Sequence, residues 1–304
     1  MSSLLLQLNR LRLALLKRTG LAQKSGRTYA AWRAKGHLEH PLVSFVVQSH
    51  NKSLEVCHIL SRLRQTPRAE IIVIDDGSSL SHTQRLARAL TGANEYLLRA
   101  NDLYENITYD RCLHMARGRY VCLLQDDDDM PDPTWAERAL GLFREHPEMA
   151  ILGGCEGRDI SFTVKDGRKA YEARNAMQGD FCFAMSVNRA PMWVDRTLFL
   201  ERLRHIDYRF APFQSDDYEL CLRAWTEGLQ VGWYDAGFTS LSAGGMRLYN
   251  NAFTREMTER NAPLLYDLYA ATADDIRRKV SELNAGLFGK TGLNPSPSAI
   301  PSDE

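Results

Sequence analysis

The chain has 304 residues, and its 38 basic side chains equal its 38 acidic ones, so its formal net charge is zero. This balance gives no support for a nucleic-acid-binding protein, and an apolar fraction of 44% is that of an ordinary globular protein. The length allows one large domain, or one domain with a smaller appendage.

Six cysteines are scattered along the sequence without a CxxC pair, which disfavours a zinc ribbon or a thioredoxin-like site. Such cysteines are typical of a reducing compartment, so we expect a cytoplasmic protein. No apolar run approaches the roughly 20 residues that a membrane span needs. The N-terminal segment is also a poor signal peptide, because charged residues interrupt its apolar run.

Residues 1–40 are predicted to form a basic, leucine-rich helical arm. Four leucines share one face at helical spacing: Leu4, Leu8, Leu11 and Leu15. Residues 1–36 contain eight basic residues and no acidic one. We expect this helix to pack on the domain or on a second copy of the chain, and contact with an anionic membrane surface is the alternative.

Strands and helices are predicted to alternate between residues 41 and 146. The strands are expected at 41–48, 70–75, 95–99 and 119–125, and the helices at 52–65, 81–91, 106–118 and 133–146. This alternation indicates an α/β fold with an open, mostly parallel sheet and helices on both faces. Ligands bind outside the carboxyl ends of the strands in such sheets, and two acidic clusters fall there.

The alternation weakens after residue 150. Further strands are expected at 149–155, 181–187 and 229–235, and further helices at 196–203, 215–228 and 253–286. Residues 156–180 are predicted to be irregular, and the last helical stretch is expected to break near Pro263. The composition of residues 291–304 predicts a disordered tail after a C-terminal helical extension at 251–290.

The most acidic segment is Asp126–Asp129, which follows the strand at 119–125. Four crowded carboxylates require a cation, and Mg²⁺ or Mn²⁺ is typically held by one or two carboxylates together with substrate phosphates. A solvated loop or a calcium site is the alternative, although an EF-hand is excluded by the loop pattern. The sequence has neither a Walker A motif nor a GxGxxG after a strand, so a phosphate ligand is expected to bind mainly through the metal.

Two other acidic segments are candidates for the same site. In DDGSS, Asp75 and Asp76 are able to accept from a base or a ribose hydroxyl; the alternative is a plain turn in which Ser78 or Ser79 caps the next helix. In the segment 215–225, Ser215 is expected to cap a helix, and the acidic residues after it suit the positive N-terminus of that helix. The alternative is that one of these carboxylates acts as a general base.

Four ordered motifs between residues 41 and 240 resemble those of the inverting glycosyltransferases of family 2. They are VSFVVQSHN at 43–51, IIVIDDGSS at 71–79, HMARGRYVCLLQDDDD at 114–129 and SDDYELCLRAWTEGLQVGW at 215–233. The resemblance implies a Rossmann-like GT-A domain at 41–250, with a nucleotide-binding half at 41–130 and an acceptor half at 131–250. The helical arm and the C-terminal helices flank it.

The resemblance also implies the site residues. The nucleotide would be bound by Ser49, His50, Asn51, Asp75, Asp76 and Asp126; the metal by Asp127 and Asp128; and the sugar and acceptor by Asp216, Trp193 and Arg223, with Asp217 as the catalytic base. The D-x-D motif begins at either Gln125 or Asp126. Gln48 and Tyr109 depart from the family pattern, and no histidine follows His205 to serve as a downstream metal ligand.

The implied reaction moves a sugar from a nucleotide sugar, with UDP the expected nucleotide, to a hydroxyl of a glycan, glycolipid or protein, as in polysaccharide biosynthesis. Mn²⁺ or Mg²⁺ would offset the charge of the departing diphosphate. A non-catalytic sugar-nucleotide-binding module and a nucleotidyltransferase are the alternatives, and the latter needs a triphosphate-binding loop that the sequence lacks. The sequence does not identify the donor sugar, the acceptor or the oligomeric state.

Overall fold

The computed structural model describes residues 2–19, 30–31, 33–189, 191–242 and 251–291. The helices are α1 (Ser2–Arg18), α2 (Ser53–Leu63), α3 (Leu80–Ala89), α4 (Tyr104–Met115), α5 (Trp135–Glu145), α6 (Asp216–Thr226), α7 (Asn251–Tyr269) and α8 (Ala273–Thr291). Short helical turns lie at Arg196–Leu198, Phe199–Leu203 and Tyr208–Phe210. The disordered tail predicted at 291–304 lies outside the described residues, apart from Thr291 at the end of α8.

The strands form one large sheet and two small ones. They are β1 (Val43–Ser49), β2 (Ala69–Asp76), β3 (Glu95–Ala100), β4 (Tyr120–Leu124), β5 (Asp128–Asp129), β6 (Met149–Gly153), β7 (Gly157–Lys165), β8 (Arg168–Asn175), β9 (Phe181–Phe183), β10 (Ser186–Val187), β11 (Met192–Asp195), β12 (Gln230–Tyr234) and β13 (Thr239–Ser240). The order of the eight-stranded sheet is β3-β2-β1-β4-β11-β6-β12-β9.

The large sheet is mostly parallel, as the alternation predicts. β1 pairs in parallel with β2 and β4, β2 pairs in parallel with β3, and β6 pairs in parallel with β12. Only β11 and β9 run antiparallel to their neighbours. The carboxyl ends of β1, β2 and β4 therefore meet at one edge, and the predicted α/β architecture is confirmed.

The sheet separates two hydrophobic cores because alternate side chains of its strands point to opposite faces. In β1, Phe45 and Val47 pack with residues of α2 and α5, whereas Val46 packs with α4 on the other face. Helices therefore cover both faces, and polar ligands reach the sheet at its edge.

Two predictions about the second half of the chain are wrong. The segment 156–180 contains the hairpin β7–β8, in which Asp166 and Gly167 both have positive φ, as a tight Asp-Gly turn requires. One face of the hairpin packs on the core through Ile160 and Phe162, while most of its other side chains are partly buried or exposed, so much of the segment is polar. Helix α7 also continues through Pro263 to Tyr269, and the break before α8 lies at 270–272.

Helix α1 does not pack on the domain within the described residues. All seven of its large exposed hydrophobic side chains are leucines, with 52–68% of their surface accessible: Leu4, Leu5, Leu6, Leu8, Leu11, Leu13 and Leu15. Of the two arrangements expected for this helix, packing on its own domain is therefore not seen among the described residues, and packing on a second copy of the chain stays a prediction. Among the described residues, no helix is both long enough and apolar enough to cross a membrane.

Candidate active site

A cleft of about 1060 Å³ opens at the edge of the sheet where β1, β2 and β4 end. Two clusters of charged residues line it. The first, which we call the lysine cluster, follows β1 and β4 and consists of Lys52, Asp126, Asp127 and Asp128. The second, the arginine cluster, comes from the starts of α4 and α6 and the loop after β10, and consists of Glu105, Arg189, Asp216 and Asp217.

Asp76 lines the cleft at the end of β2 and is held rigidly. Its Oδ1 accepts from the backbone N–H of Leu103 at 2.9 Å, and its Oδ2 accepts from the N–H of Tyr104 at 2.8 Å. The side-chain amide of Gln48, one of the two residues that depart from the expected motif pattern, also donates to Oδ2 at 3.0 Å. Gln48 therefore holds the Asp76 carboxylate in place.

Two predicted nucleotide-binding residues do not line the cleft. Asp75 is fully buried, and its carboxylate accepts from the backbone of Ser78 and from the hydroxyl of Thr83, so it stabilises the turn after β2. Ser49 is 1% exposed on the strand next to it. The pleat of β1 and β2 turns both side chains away from the cleft, so neither side chain is placed to contact a nucleotide there. The capping role considered for Ser78 and Ser79 is also absent, since α3 has no side-chain cap hydrogen bond.

His50 and Asn51 do line the cleft, and their hydrogen bonds fix the histidine tautomer. His50 Nδ1 lies 2.7 Å from the carbonyl oxygen of Asp76, which can only accept, so Nδ1 carries the proton. Nε2 is then the acceptor for the Asn51 amide at 3.0 Å. Asn51 has a positive φ of 58° and accepts from the N–H of Ser79 at 2.9 Å, which ties the end of β1 to the turn after β2.

The four aspartates have separate partners. Asp126 accepts from the N–H of His50 at 2.9 Å, Asp127 from the hydroxyl of Ser240 at 2.7 Å, and Asp128 from the N–H of Gln125 at 2.8 Å. Asp129 points towards α2, where Arg62 lies 3.5 Å from its carboxylate. Part of the charge that the sequence assigns to a metal is thus already offset by protein groups.

Burial dominates the electrostatics of the lysine cluster. It raises the pKa of Asp126 to about 6, and it raises the pKa of Asp128 well above its ordinary value. Lys52 lies 3.3 Å from Asp126 Oδ1 and 3.5 Å from Asp127 Oδ2. Burial alone would lower the pKa of Lys52, but the two carboxylates together raise it by more. The pKa of Lys52 therefore lies above its ordinary value, and the side chain is charged.

The donor atoms of the lysine cluster suit a hard divalent cation. Mg²⁺ and Mn²⁺ prefer carboxylate oxygens and are completed by water and substrate phosphates, so one or two carboxylates suffice. The Lys52 ammonium already lies between Asp126 and Asp127, so this pair of carboxylates is arranged to bind a cation. In the described part of the chain, no three side chains are arranged as a complete metal site. Residues 243–250, which follow the cleft residues Ser240 and Ser242, lie outside the described residues.

The arginine cluster places three carboxyl groups around one buried guanidinium. Arg189 is 8% exposed, forms an ion pair with Asp216 and lies over the ring of Tyr109 at 5.3 Å. Asp216 also accepts from the amide of Asn106 at 3.2 Å. Burial raises the pKa of Asp217 to about 6 and that of Glu105 to about 7, although Arg189 opposes both shifts. Both groups therefore titrate near neutral pH, as general acid-base residues do.

Local backbone strain positions Asp217. Gln214 and Ser215 have positive φ values of 78° and 63°, which non-glycine residues rarely adopt and which are commonly found at functional sites. Ser215 occupies the N-cap position of α6, but its hydroxyl bonds to Tyr171 at 2.7 Å and makes no cap bond. The expected serine cap is therefore absent, and the tight turn brings Asp216 and Asp217 to the cleft.

Two residues predicted to lie in the sugar and acceptor cleft are elsewhere. Trp193 is fully buried in the core, with its ring 5.8 Å from Phe45 and its indole N–H donating to Tyr234. Arg223 forms an ion pair with Glu219 at 2.8 Å and donates to the carbonyls of Leu203 and His205. Both predictions are wrong, because these side chains face the core and the outer side of α6.

Three members of the two charged clusters, among other residues that line the cleft, were not predicted from the sequence: Lys52, Glu105 and Arg189. A basic residue directly after the first strand, on the same edge as an aspartate run, was an available signal for Lys52. Arg189 precedes the strand that carries Trp193, and the polar pair Asn-Arg before a proline marks a loop. No sequence pattern distinguishes Glu105 from an ordinary acid in the first turn of a helix.

Solved structures with similar folds support a GT-A glycosyltransferase architecture. The mannosyltransferase PcManGT from Pyrobaculum calidifontis, solved with GDP-Man and Mn²⁺, is 15% identical with a TM-score of 0.51, covering 92% of this chain and 90% of that one. S. aureus TarS with UDP-GlcNAc is 14% identical with a TM-score of 0.54, covering 83% and 76%. GalNAc-T7 with UDP, GalNAc and Mn²⁺ is 13% identical with a TM-score of 0.52, covering 66% and 43%.

The sequence itself matches the family model described as "Glycosyl transferase family 2" over residues 44–220, which is more than half of the chain. This protein therefore belongs to glycosyl transferase family 2, and the predicted family and fold are confirmed. No curated protein matches the sequence significantly. At these identities the structural matches show the fold, and the substrates of this chain are a separate question.

Proposed function

We propose that this protein is an inverting glycosyltransferase that uses a UDP-sugar donor and a hydroxyl acceptor. The observation that carries the proposal is the meeting of two acidic groups in one cleft. Asp76 and the lysine cluster lie at the strand ends, where nucleotides bind in open α/β sheets, and Asp217 opens into the same space. A nucleotide-binding edge and a titratable carboxylate in one cleft are what sugar transfer from a nucleotide requires.

In this proposal the nucleoside is bound by the ends of β1 and β2. The Asp76 carboxylate is held by three donors and presents remaining lone pairs to a base N–H or a ribose hydroxyl. His50 and Asn51 line the adjacent wall of the cleft. These groups bind and orient the donor, so that its anomeric carbon lies near the arginine cluster.

Asp217 is the proposed general base. The acceptor hydroxyl attacks the anomeric carbon, the bond from that carbon to the diphosphate oxygen breaks, and the hydroxyl proton moves to the Asp217 carboxylate. The pKa of about 6 leaves Asp217 ionised but basic at neutral pH, which suits this role. Arg189 keeps the neighbouring Asp216 paired, so that Asp217 is the aspartate of this pair that is left to act.

Mn²⁺ or Mg²⁺, when bound, would neutralise negative charge on the diphosphate. Asp127 and Asp128 are the proposed protein ligands. Asp127 is oriented by Ser240 and by the pairing of β5 with β13, and Asp128 by the backbone of Gln125. These contacts hold two carboxylates at the edge of the cleft, where a donor diphosphate would lie.

The test is release of nucleoside diphosphate from a panel of UDP-sugars and GDP-sugars, with Mn²⁺ or with EDTA. Slow transfer to water reports the donor while the acceptor is unknown. We expect Mn²⁺-stimulated release from one UDP-sugar. Binding of a nucleotide sugar without release, in the presence of candidate acceptors, would favour a non-catalytic binding module. A protein that binds no nucleotide sugar would contradict the proposal.

Helix α1 is proposed to bring the enzyme to an anionic membrane surface, where a lipid-linked acceptor would lie. The support is the combination of exposed leucines on α1 with eight basic residues and no acidic one in residues 1–36. Exposed apolar area and basic charge both favour anionic bilayers, whereas two copies of such a segment would repel each other.

Flotation with vesicles of neutral and of anionic phospholipid tests this role of α1. We expect the full chain to float with anionic vesicles at low salt. The triple variant Leu8→Ser, Leu11→Ser, Leu15→Ser should remain in the bottom fraction. The matched control changes the same number of exposed side chains elsewhere: Leu54→Ser, Leu80→Ser and Val164→Ser. Dimerisation through α1 without flotation would contradict the proposal.

A further inference from the structure

Lys52 stands where β1 leads into α2, and its position is unusual for a lysine. Its side chain is 18% exposed, and its ammonium lies between two carboxylates, 3.3 Å from Asp126 Oδ1 and 3.5 Å from Asp127 Oδ2. It lines the cleft with both of them. Most lysines keep the ammonium group in water, so its enclosure here calls for an explanation.

The ammonium is enclosed but incompletely bonded. Lys52 Nζ is closed off from solvent, and its two carboxylate contacts are long for hydrogen bonds, so within the described residues its three protons are not fully satisfied. A buried ammonium whose donors are only partly satisfied is costly, and a ligand with further oxygen acceptors would reduce that cost. A diphosphate supplies such acceptors, and the cleft in which Lys52 lies is where the proposed donor binds.

The pair formed by Arg62 and Asp129 offers a contrast on the same two segments. The Arg62 guanidinium lies 3.5 Å from Asp129 Oδ1, and neither residue lines the cleft. That pair links α2 to the aspartate run and has no access to a ligand in the cleft. The aspartate run therefore has one cation that links structural elements and one that faces the ligand space.

We propose that Lys52 is a built-in cation of the donor site. Without donor, its ammonium holds the carboxylates of Asp126 and Asp127 together and competes with a divalent ion for them. When the donor binds, the ammonium turns to the diphosphate and helps to neutralise it. This proposal rests on the proposed glycosyltransferase function, and it predicts that nucleotide binding retains a metal-independent component.

Substitution Lys52→Met tests the proposal with two binding measurements that do not depend on turnover. Mn²⁺ binding to the nucleotide-free protein, followed by electron paramagnetic resonance, should become about tenfold tighter, because one competing charge is removed. Binding of UDP in EDTA, followed by calorimetry, should become about tenfold weaker, because the diphosphate loses a cation. Opposite changes in the two affinities are the signature of a shared, exchangeable cation.

Two further variants serve as controls. Lys52→Arg keeps the charge and should leave both affinities within about threefold of the parent. Arg62→Met removes the neighbouring cation that does not line the cleft, and it should change neither affinity. Thermal unfolding of each variant confirms that the fold is retained.

The outcomes separate the Lys52 proposal from the proposed function. If the parent binds UDP with Mn²⁺ and Lys52→Met changes neither affinity, Lys52 is a structural partner of the aspartates and the inference is overturned. Weaker binding of both Mn²⁺ and UDP would also overturn it, because competition would then be absent. If the parent binds no nucleoside diphosphate under any condition, the proposed function fails and the inference fails with it.

Discussion

The lysine cluster and the arginine cluster both place a cation among carboxyl groups, but they hold that cation differently. Arg189 forms an ion pair with Asp216 and lies over the Tyr109 ring, so it is fixed by several groups. The Lys52 ammonium lies 3.3 Å from Asp126 and 3.5 Å from Asp127, and each cation keeps one buried nitrogen without a directed hydrogen bond among the described residues, Lys52 Nζ and Arg189 Nη1. A flexible ammonium group suits a cation that is exchanged, and a planar guanidinium suits one that is kept.

This difference suits the two tasks of the proposed reaction. In the proposed reaction, the lysine cluster contacts a diphosphate and a divalent ion that bind and are released in each turnover, so the charge near it changes. The arginine cluster has to keep the pKa of Asp217 within a range that allows proton transfer, so its charge should stay constant.

Removal of the fixed cation should have the greatest effect on stability. Arg189→Met leaves Glu105, Asp216 and Asp217 without the positive charge that opposes their desolvation. Breaking a buried ion pair typically costs about 3–5 kcal/mol, so we expect a loss of that order in the free energy of unfolding at pH 8. Urea denaturation measures it, and Arg209→Met, in a more exposed pair with Asp207, is the matched control. Equal losses in the two variants would contradict the role given to Arg189.

Removal of a proposed metal ligand should act on the lysine cluster alone. Asp127→Asn keeps the shape of the side chain but removes the charge that we assign to metal binding. We expect Mn²⁺-dependent binding of UDP to weaken by at least tenfold, or about 1.4 kcal/mol, as calorimetry would show. Asp132→Asn, on the exposed loop that follows, should leave binding unchanged. Parent-like Mn²⁺ dependence in Asp127→Asn would remove this residue from the metal site.

The pH dependence of turnover should report Asp217. Burial raises its pKa to about 6, and only the ionised form accepts a proton, so activity should rise with pH through about 6 and then level off. Below that pH we expect about a tenfold loss for each unit. Because burial also gives Asp126 a pKa of about 6, the rate should be measured at saturating donor and Mn²⁺. A rate that stayed flat between pH 5 and pH 7 would exclude Asp217 as the base.

A smaller effect is expected from Glu105, whose carboxyl Oε2 is closed off from solvent without a hydrogen-bond partner. Burial raises its pKa from 4.5 to about 7, so between these values the folded protein keeps a proton that the unfolded chain loses. The contribution of Glu105 to the free energy of unfolding therefore becomes less favourable to the fold as pH rises from 4.5 to about 7. Glu105→Gln should match the parent at pH 5 and exceed its stability by about 1–2 kcal/mol at pH 8.

Thermal unfolding at the two pH values measures the Glu105 effect. The exposed Glu137 provides the control, since Glu137→Gln should shift the unfolding temperature equally at both. A Glu105→Gln variant that is less stable than the parent at pH 8 would mean that the carboxylate is ionised and useful to the fold.

Much of the fold could be predicted because its strands are buried on both faces. β1, β2 and β4 are continuous apolar runs that end in acidic or polar residues, so the sequence indicates both the strands and the edge where ligands bind. The hairpin β7–β8 is not a continuous apolar run, because only one of its faces packs on the core, through Ile160 and Phe162. The alternation of Ile160, Phe162 and Val164 with polar residues and the Asp-Gly turn were the available signals.

The site could be predicted only as far as the sequence motifs reach. Asp76, Asp126 and Asp217 line the cleft as expected, whereas Trp193 does not, because β11 lies antiparallel between β4 and β6 and directs that ring into the core. The meeting of Lys52 with the aspartate run depends on β1 and β4 being neighbours in the sheet. Strand order is set by packing of the whole chain, and sequence spacing does not reveal it.

The most direct test of the account compares turnover and donor binding in Asp217→Asn on the same preparation. Asparagine cannot accept the hydroxyl proton but keeps the shape of the side chain, so we expect release of nucleoside diphosphate to fall by about 10²–10⁴-fold. Binding of the nucleotide sugar with Mn²⁺, measured by calorimetry, should stay within about threefold of the parent. Parent-like turnover in Asp217→Asn, with binding intact, would contradict the claim that the two charged clusters act together on one donor and one acceptor.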